Sequence, residues 1–244
     1  MHPLAIEVVQ LPATSVDLVL SSGFLAFARH AGVLRAVERA RVPIGAVCGT
    51  SSGALVGALW AAGHDSEAIV ALVAGLAPWR LLRPHLLPWQ GLFAMSALQR
   101  FLRVHLPSDF ASLRTPLAVG VVDAARRFQL LTTGDLPSAV AASCAMPYVF
   151  VPIQRAGLAL ADGGTSDRVG LAAWRDWRPQ RQALVHQVLR TAGKDVVHDR
   201  TGTWWVQTPR SGASFLSLGD VQGQVNEADA LAEPVVATVR ASLH

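Results

Sequence analysis

The chain has 244 residues, 51% of them hydrophobic and 16% charged, which supplies apolar material for a large core and excludes a disordered chain. Its net charge of +4 is modest, and all but one of its 21 basic residues are arginine, Lys194 being the exception. With no nucleic-acid motif beside it, that charge does not point to nucleic-acid binding. The simplest organisation is one domain over residues 1–244.

The first elements alternate strand and helix. Val16 to Leu20 reads as a short buried strand leading into the small-residue loop Ser21-Ser22-Gly23. Phe27 to Ala40 has helical spacing, with Val33, Leu34 and Val37 on one side and Arg35, Glu38 and Arg39 on the other. Ile44 to Cys48 is a second strand, and residues 52–63 form a helix ended by Gly63. Strand-helix-strand-helix order implies parallel pairing with right-handed crossovers.

Residues 68–108 carry no acidic side chain but hold Arg80, Arg83, Arg100, Arg103, His85, His105, Trp79 and Trp89 among many leucines. Such a segment suits an interfacial lipid-binding surface, and it equally suits a helical cap whose arginines reach past it to water. Further on, Leu117 to Val122 and Phe128 to Thr132 read as strands, and Pro137 to Ala145 as a helix opened by proline. Leu158 to Ala161 is a short strand, Ala183 to Leu189 a later one, and Glu227 to Ser242 a mostly helical end.

The start of the chain lacks a basic segment followed by an apolar core, so no signal peptide is expected. The longest uncharged stretch, Leu136 to Gln154, is broken by Pro137, Pro147 and Pro152, which argues against a spanning helix. Cys48 and Cys144 sit in apolar surroundings and are expected to be buried thiols rather than a disulfide. The expected location is cytoplasmic, or peripheral to a membrane.

Ser51 stands at the centre of Gly49-Thr50-Ser51-Ser52-Gly53, between a strand and a helix. Glycines two residues to either side let strand and helix pass closely, so the turn can expose a nucleophilic serine. The helix behind it aims free N–H groups and its positive dipole end at the place where an oxyanion would form. An ordinary βα turn with Ser51 or Ser52 as helix cap would show the same letters.

A serine nucleophile needs a base. None of the eight histidines, His2, His30, His64, His85, His105, His186, His198 and His244, lies in a glycine-flanked loop at a strand end. In an α/β-hydrolase order His186 or His198 would follow Asp162, but Ser51 comes too early for that fold. Asp162-Gly163-Gly164, closing a short strand, is the better partner, because a carboxylate beside glycines can approach a serine and take its proton directly. A turn-capping aspartate is the alternative. No His/Cys/Asp cluster has metal-ligand spacing, and His64-Asp65 and His198-Asp199 are weak candidates.

Four blocks in order resemble the patatin-like phospholipase family: Leu18 to Leu34 with its Ser22-Gly23-Phe24 loop, the elbow Gly49–Gly53, Ala142-Ser143-Cys144-Ala145-Met146-Pro147, and Asp162-Gly163-Gly164. The resemblance implies a single three-layer α/β domain, a mostly parallel sheet with helices on both faces, and a catalytic Ser–Asp dyad without histidine. It carries the nucleophile onto Ser51, the base onto Asp162 and the oxyanion hole onto the backbone of Gly23 and Phe24, with no cofactor or metal. The implied substrate is a lipid acyl ester, phospholipid or lysophospholipid, and the arginines of residues 68–108 are expected to favour peripheral contact with an anionic membrane surface. The chain departs from the family loop, where Phe24 and Phe27 stand in place of glycine and Ala26 in place of a basic residue. A positive φ at Phe24 would be costly. An acyltransferase, or a catalytically weak protein that binds acyl chains or a partner, therefore stands as the alternative.

Overall fold

The computed structural model describes residues 14–75, 78–85, 91–190 and 195–243. In chain order these form β1 (Val16–Leu20), α1 (Phe27–Arg39), β2 (Ile44–Thr50), α2 (Ser52–Ala61), α3 (Ser66–Ala74) and α4 (Pro78–Leu81). Two short strands follow, β3 (Arg83–Pro84) and β4 (Phe93–Ala94), and then α5 (Ser96–His105), β5 (Leu117–Val122), β6 (Phe128–Leu131) and α6 (Leu136–Ser143). The remainder is β7 (Ile153–Arg155), β8 (Leu158–Asp162), α7 (Leu171–Trp177), β9 (Ala183–Val188), β10 (Thr203–Thr208) and α8 (Val221–Ser242).

Eight strands make the main sheet, in the order β10-β9-β1-β2-β5-β8-β7, with β6 paired to β5. The strands β10, β9, β1, β2 and β5 run parallel, as the alternation of strand and helix predicts. β6, β7 and β8 return antiparallel. β1, β5 and β9 are buried at every position, which fits their near-continuous apolar sequences, since a central parallel strand has both faces covered.

Alternate residues of β1 separate the two faces. Leu18 and Leu20 join the larger core beneath α1, α2, α6 and α8, while Val19 packs with Cys48, Ala118, Val185 and Trp174 on the face covered by α7. α8 begins at Val221, six residues before its sequence-predicted start. Asp220 caps it by accepting the Gly223 N–H at 2.8 Å, and Val225, Ala228, Ala232, Val236 and Val239 form the buried stripe against the core.

Candidate active site

β5 brings Ser51 and Asp162 together. A strand has two edges, and β6 occupies residues Val119–Val122 on one of them. β2 and β8 therefore share the other edge in succession, with Thr50 opposite Gly120 and Asp162 opposite Val121. β2 runs parallel to β5 and β8 antiparallel, so their last residues meet head to head. Ser51 is the next residue after Thr50. More than a hundred residues of intervening chain are bridged by two adjacent positions of one strand.

The elbow has the close packing its glycines imply. A Cβ on Gly53 would lie 2.3 Å from the Leu20 carbonyl oxygen, and one on Gly49 would lie 2.5 Å from that of Gly53. Ser51 itself has φ 54° and ψ −118°, a conformation that L-residues hold only where the surroundings impose it. Its N–H donates to Ser143 Oγ at 2.8 Å, and that hydroxyl donates to the Gly120 carbonyl at 2.6 Å. Ser143 thus ties the elbow to β5 beside the site. Sequence reasoning found its motif but not this role.

Asp162 is buried, 7% exposed, and its carboxylate accepts the Gly164 N–H at 2.8 Å, while the Ser51 hydroxyl is close enough to favour its ionised form. Burial pushes its pKa up to about 6, against the lowering effect of the Ser51 hydroxyl, the Gly164 N–H and the Arg168 charge. Among the described residues no histidine acts on it.

The loop after β1 is held from three sides. Ser22 N–H donates to the Arg168 carbonyl at 2.7 Å, Arg168 Nη2 donates to the Ser22 carbonyl at 2.8 Å, and Ser211 Oγ donates to the Phe24 carbonyl at 2.6 Å. Among the described residues the N–H groups of Gly23 and Phe24 donate to no protein acceptor. Sequence reasoning placed the conformational difficulty at Phe24. The positive φ, 47°, is instead at Leu25, because the turn closes with Ala26 N–H on the Gly23 carbonyl and puts the left-handed residue one place later.

Ser51 and Asp162 open into a cavity of about 260 Å3. Phe24, Leu25, Phe27, Met146, Phe150 and Phe215 give it an apolar lining, with the rings of Phe24 and Phe215 edge to face at 5.1 Å. Pro78 and Leu82, from the acid-free segment, also line it, so that segment covers the site. The same segment presents Trp79, Leu92 and Val104 to solvent at 52%, 52% and 76% exposure, beside exposed Arg83, Arg100 and Arg103. Arg103 pairs with Asp135 at 3.1 Å. Trp89 and the side chain of Arg80 lie outside the described residues.

The histidines have other partners. His186 Nδ1 meets His30 Nδ1 at 2.8 Å, His186 Nε2 meets the Thr208 hydroxyl at 2.9 Å, and His30 Nε2 meets the Ser52 hydroxyl at 3.3 Å. Burial lowers the pKa of His30 to about 3 and that of His186 well below its ordinary value, so both rings are neutral. Two neutral rings satisfy this chain in either direction, from Ser52 to Thr208 or the reverse. The chain fixes the first turn of α2. His198 lies 3.6 Å from Asp167. Cys48 and Cys144 are free thiols, both pushed up by burial, and Cys144 Sγ contacts the Ser51 carbonyl at 3.4 Å. Among the described residues no group of three or more His, Cys, Asp or Glu side chains is placed to hold a metal ion.

The patatin-like phospholipase family model matches residues 18–173, a span that runs from within β1 into α7 and contains Ser51, Ser143 and Asp162. The chain belongs to this family. It is 30% identical over 181 residues to uncharacterized NTE family proteins of Mycobacterium bovis and Mycobacterium tuberculosis, an alignment covering 70% of this chain and 48% of each relative. The chain thus spans about half the length of these relatives. A shorter stretch of 50 residues is 48% identical to the neuropathy target esterase sws of Drosophila persimilis, covering 20% of this chain and 4% of that protein. Among solved structures, VipD from Legionella pneumophila superposes with a TM-score of 0.60 at 14% identity, over 94% of this chain and 67% of that one. ExoU, a type III effector, superposes at 0.54 with 15% identity, over 94% and 54%. At these identities the likeness is one of fold: a mixed, mostly parallel sheet with helices around it.

Proposed function

We propose that the chain is a serine hydrolase of lipid acyl esters, acting through Ser51 and Asp162 as a single catalytic domain. The observation that carries this reading is that adjacent positions of β5 bring Ser51 and the buried carboxylate Asp162 into the lining of one apolar cavity, with no histidine in its described lining. A base with a pKa of about 6 is ionised at neutral pH and still basic enough to take a proton.

The chemistry follows from the atoms. Ser51 Oγ attacks the acyl carbonyl carbon while its proton passes to Asp162. The oxyanion is met by the unpaired N–H groups of Gly23 and Phe24 and by the first N–H groups of α2. Collapse of the tetrahedral intermediate expels the alcohol, which takes the proton from Asp162, and leaves an ester on Ser51. Water then attacks that ester with Asp162 again as base, releasing the fatty acid and restoring the serine.

The exposed Trp79, Leu92 and Val104 among arginines support a peripheral contact with an anionic lipid surface, which would place the cavity mouth at the lipid. No helix among the described residues is long and apolar enough to cross a membrane.

A fluorophosphonate probe and an activated short-chain ester test the reaction. The wild-type chain should label and turn over, and Ser51→Ala should lose both while unfolding at a similar temperature. Labelling at Ser52 would overturn the assignment. Failure of both in wild type would leave a protein that only holds acyl chains. Turnover that appears only with an added lysolipid acceptor would make it a transferase.

A further inference from the structure

One residue grips the backbone of Ser22 on both sides. The Ser22 N–H donates to the Arg168 carbonyl at 2.7 Å, and the Ser22 carbonyl accepts Arg168 Nη2 at 2.8 Å, with Ser21 Oγ on the same oxygen at 3.2 Å. A trans peptide is planar, so the Ser22 carbonyl and the Gly23 N–H lie on opposite edges of one rigid unit. Whatever holds that carbonyl therefore fixes where the Gly23 N–H points. The Phe24 N–H is set in the same way by the next peptide, whose Gly23 carbonyl accepts the Ala26 N–H at 3.2 Å. The turn thus aims the second donor locally, whereas the first depends on a side chain 146 residues away.

The Arg168 side chain is 12% exposed, and its planar fork has three anchors: the Ser22 carbonyl, the Val188 carbonyl at 2.7 Å and the Asp195 carboxylate at 3.0 Å. An ammonium on a flexible stem does not hold such a planar set. Arg168 also belongs to the turn that begins at Asp162. There Asp162 accepts the Gly164 N–H, and the Gly163 carbonyl accepts the N–H groups of Ser166 at 3.0 Å and Asp167 at 3.1 Å. The Ser22 side chain packs on this turn, where a Cβ on Gly164 would lie 2.3 Å from its Oγ. The base and the loop after β1 thus rest on one support. The loop carries Ala26 where the family has a basic residue, and the basic side chain that meets it here comes from beyond Asp162.

We propose that Arg168 is a positioning residue of the oxyanion hole: by holding the Ser22 carbonyl it keeps the Gly23 N–H turned into the cavity it shares with Ser51, where the acyl oxygen gains its charge. This rests on the hydrolase reading above and gives its oxyanion hole a long-range support. Ser22, Gly23, Arg168 and Ser51 all line that cavity. Without the grip the Ser22–Gly23 peptide is free to rotate, and the developing oxyanion loses a donor. The uncharged ester of the bound substrate needs that donor less, so the loss falls on kcat rather than on KM.

The test compares Arg168→Lys and Arg168→Met with wild type on an activated short-chain ester. Arg168 also favours ionised Asp162 through its charge, and lysine keeps that charge while losing the fork. Methionine should lower kcat by about 100-fold and lysine by about 10-fold, with KM within about two-fold, as for loss of one oxyanion donor. A trifluoromethyl ketone, whose adduct on Ser51 carries the oxyanion, should bind more weakly by the same factors. The corresponding alcohol, which forms no adduct, should bind all three proteins alike. Full activity in the lysine variant would reduce Arg168 to a charge and overturn the proposal, as would a rise in KM at unchanged kcat. If neither variant folds, Asp195→Asn, which removes the carboxylate that sets the fork, takes their place, and an unchanged kcat would then overturn it. Crystal structures of the variants form an arm that needs no turnover: the Ser22–Gly23 peptide should be rotated, and a peptide in its wild-type orientation would count against Arg168. Wild type with neither labelling nor turnover would sink the hydrolase reading, and the orientation of that peptide would still decide whether Arg168 aims the Gly23 N–H.

Discussion

Asp162→Asn should stop turnover and, at neutral pH, make the protein more stable. The pKa of this carboxyl rises from 3.8 to about 6 on folding, chiefly through burial. Between those two values the folded chain keeps a proton that the unfolded chain has lost. Stability therefore falls as pH rises through the window, and the whole deficit is present above it. A shift of about two units corresponds to about 3 kcal/mol. Asparagine keeps an oxygen to accept the Gly164 N–H and carries no charge to desolvate, so the variant should recover about 2–3 kcal/mol above pH 6, or about 5–10 °C in Tm for a chain of this size. At pH 4 the gain should nearly vanish. Thermal unfolding of both proteins at pH 7.5 and pH 4 makes the comparison, with ester turnover measured alongside. In wild type kcat/KM should rise with pH and reach half its plateau near pH 6. A variant less stable than wild type at pH 7.5, or one whose advantage is the same at pH 4, would refute the claim that the site bears the cost of a buried carboxylate.

Acid should weaken the fold through the buried histidines. Their pKa values are depressed in the folded chain, so the unfolded state binds more protons below pH 6.5; His30, lowered to about 3, alone costs about 2 kcal/mol by pH 5, and His30→Gln with His186→Asn should flatten this limb in urea titrations. Ser143→Ala removes the acceptor of the Ser51 N–H and the donor to Gly120, and should lower kcat by about 10–100-fold with a stability loss of about 1–2 kcal/mol; unchanged kcat would show that the elbow holds itself. Arg83→Gln, Arg100→Gln and Arg103→Gln together should weaken binding to phosphatidylserine vesicles by about five-fold per arginine at low salt, and equal binding in a flotation assay would leave this segment as a cap alone.

The strands that position the site were readable because their sequences are continuous and apolar. Val16–Leu20 and Leu117–Val122 have the bounds their sequence predicts. Ser51 and Asp162 stood out by glycine punctuation and by order along the chain. Their meeting did not, since it depends on which edge of β5 each strand takes, a long-range choice that no local pattern records. The same holds for Ser143, whose hydroxyl matters through partners at residues 51 and 120. β10 has no predicted counterpart although Thr203-Trp204-Trp205-Val206 is rich in strand formers, because its apolar residues are consecutive and do not alternate with polar ones. α3 is apolar on most sides, and its signal was the cap, Asp65 on the Ala68 N–H with Glu67 in the first turn. At the loop after β1 the sequence told which residues were unusual but not which one would carry the left-handed turn, since that follows from the Gly23–Ala26 hydrogen bond.

The head-to-head arrangement of β2 and β8 makes the reactive pair a property of the finished sheet. β1, α1, β2 and α2 are neighbours in sequence and can collapse early, presenting Ser51 as an ordinary hydroxyl on a nascent turn. Asp162 arrives only when β5 has docked on β2 and the β7–β8 hairpin has closed on the end of β5, contacts of long loop closure and slow formation. A growing or partly folded chain thus carries no activated serine. On refolding, probe labelling should recover later than far-ultraviolet ellipticity, in step with completion of the β5–β8 contact.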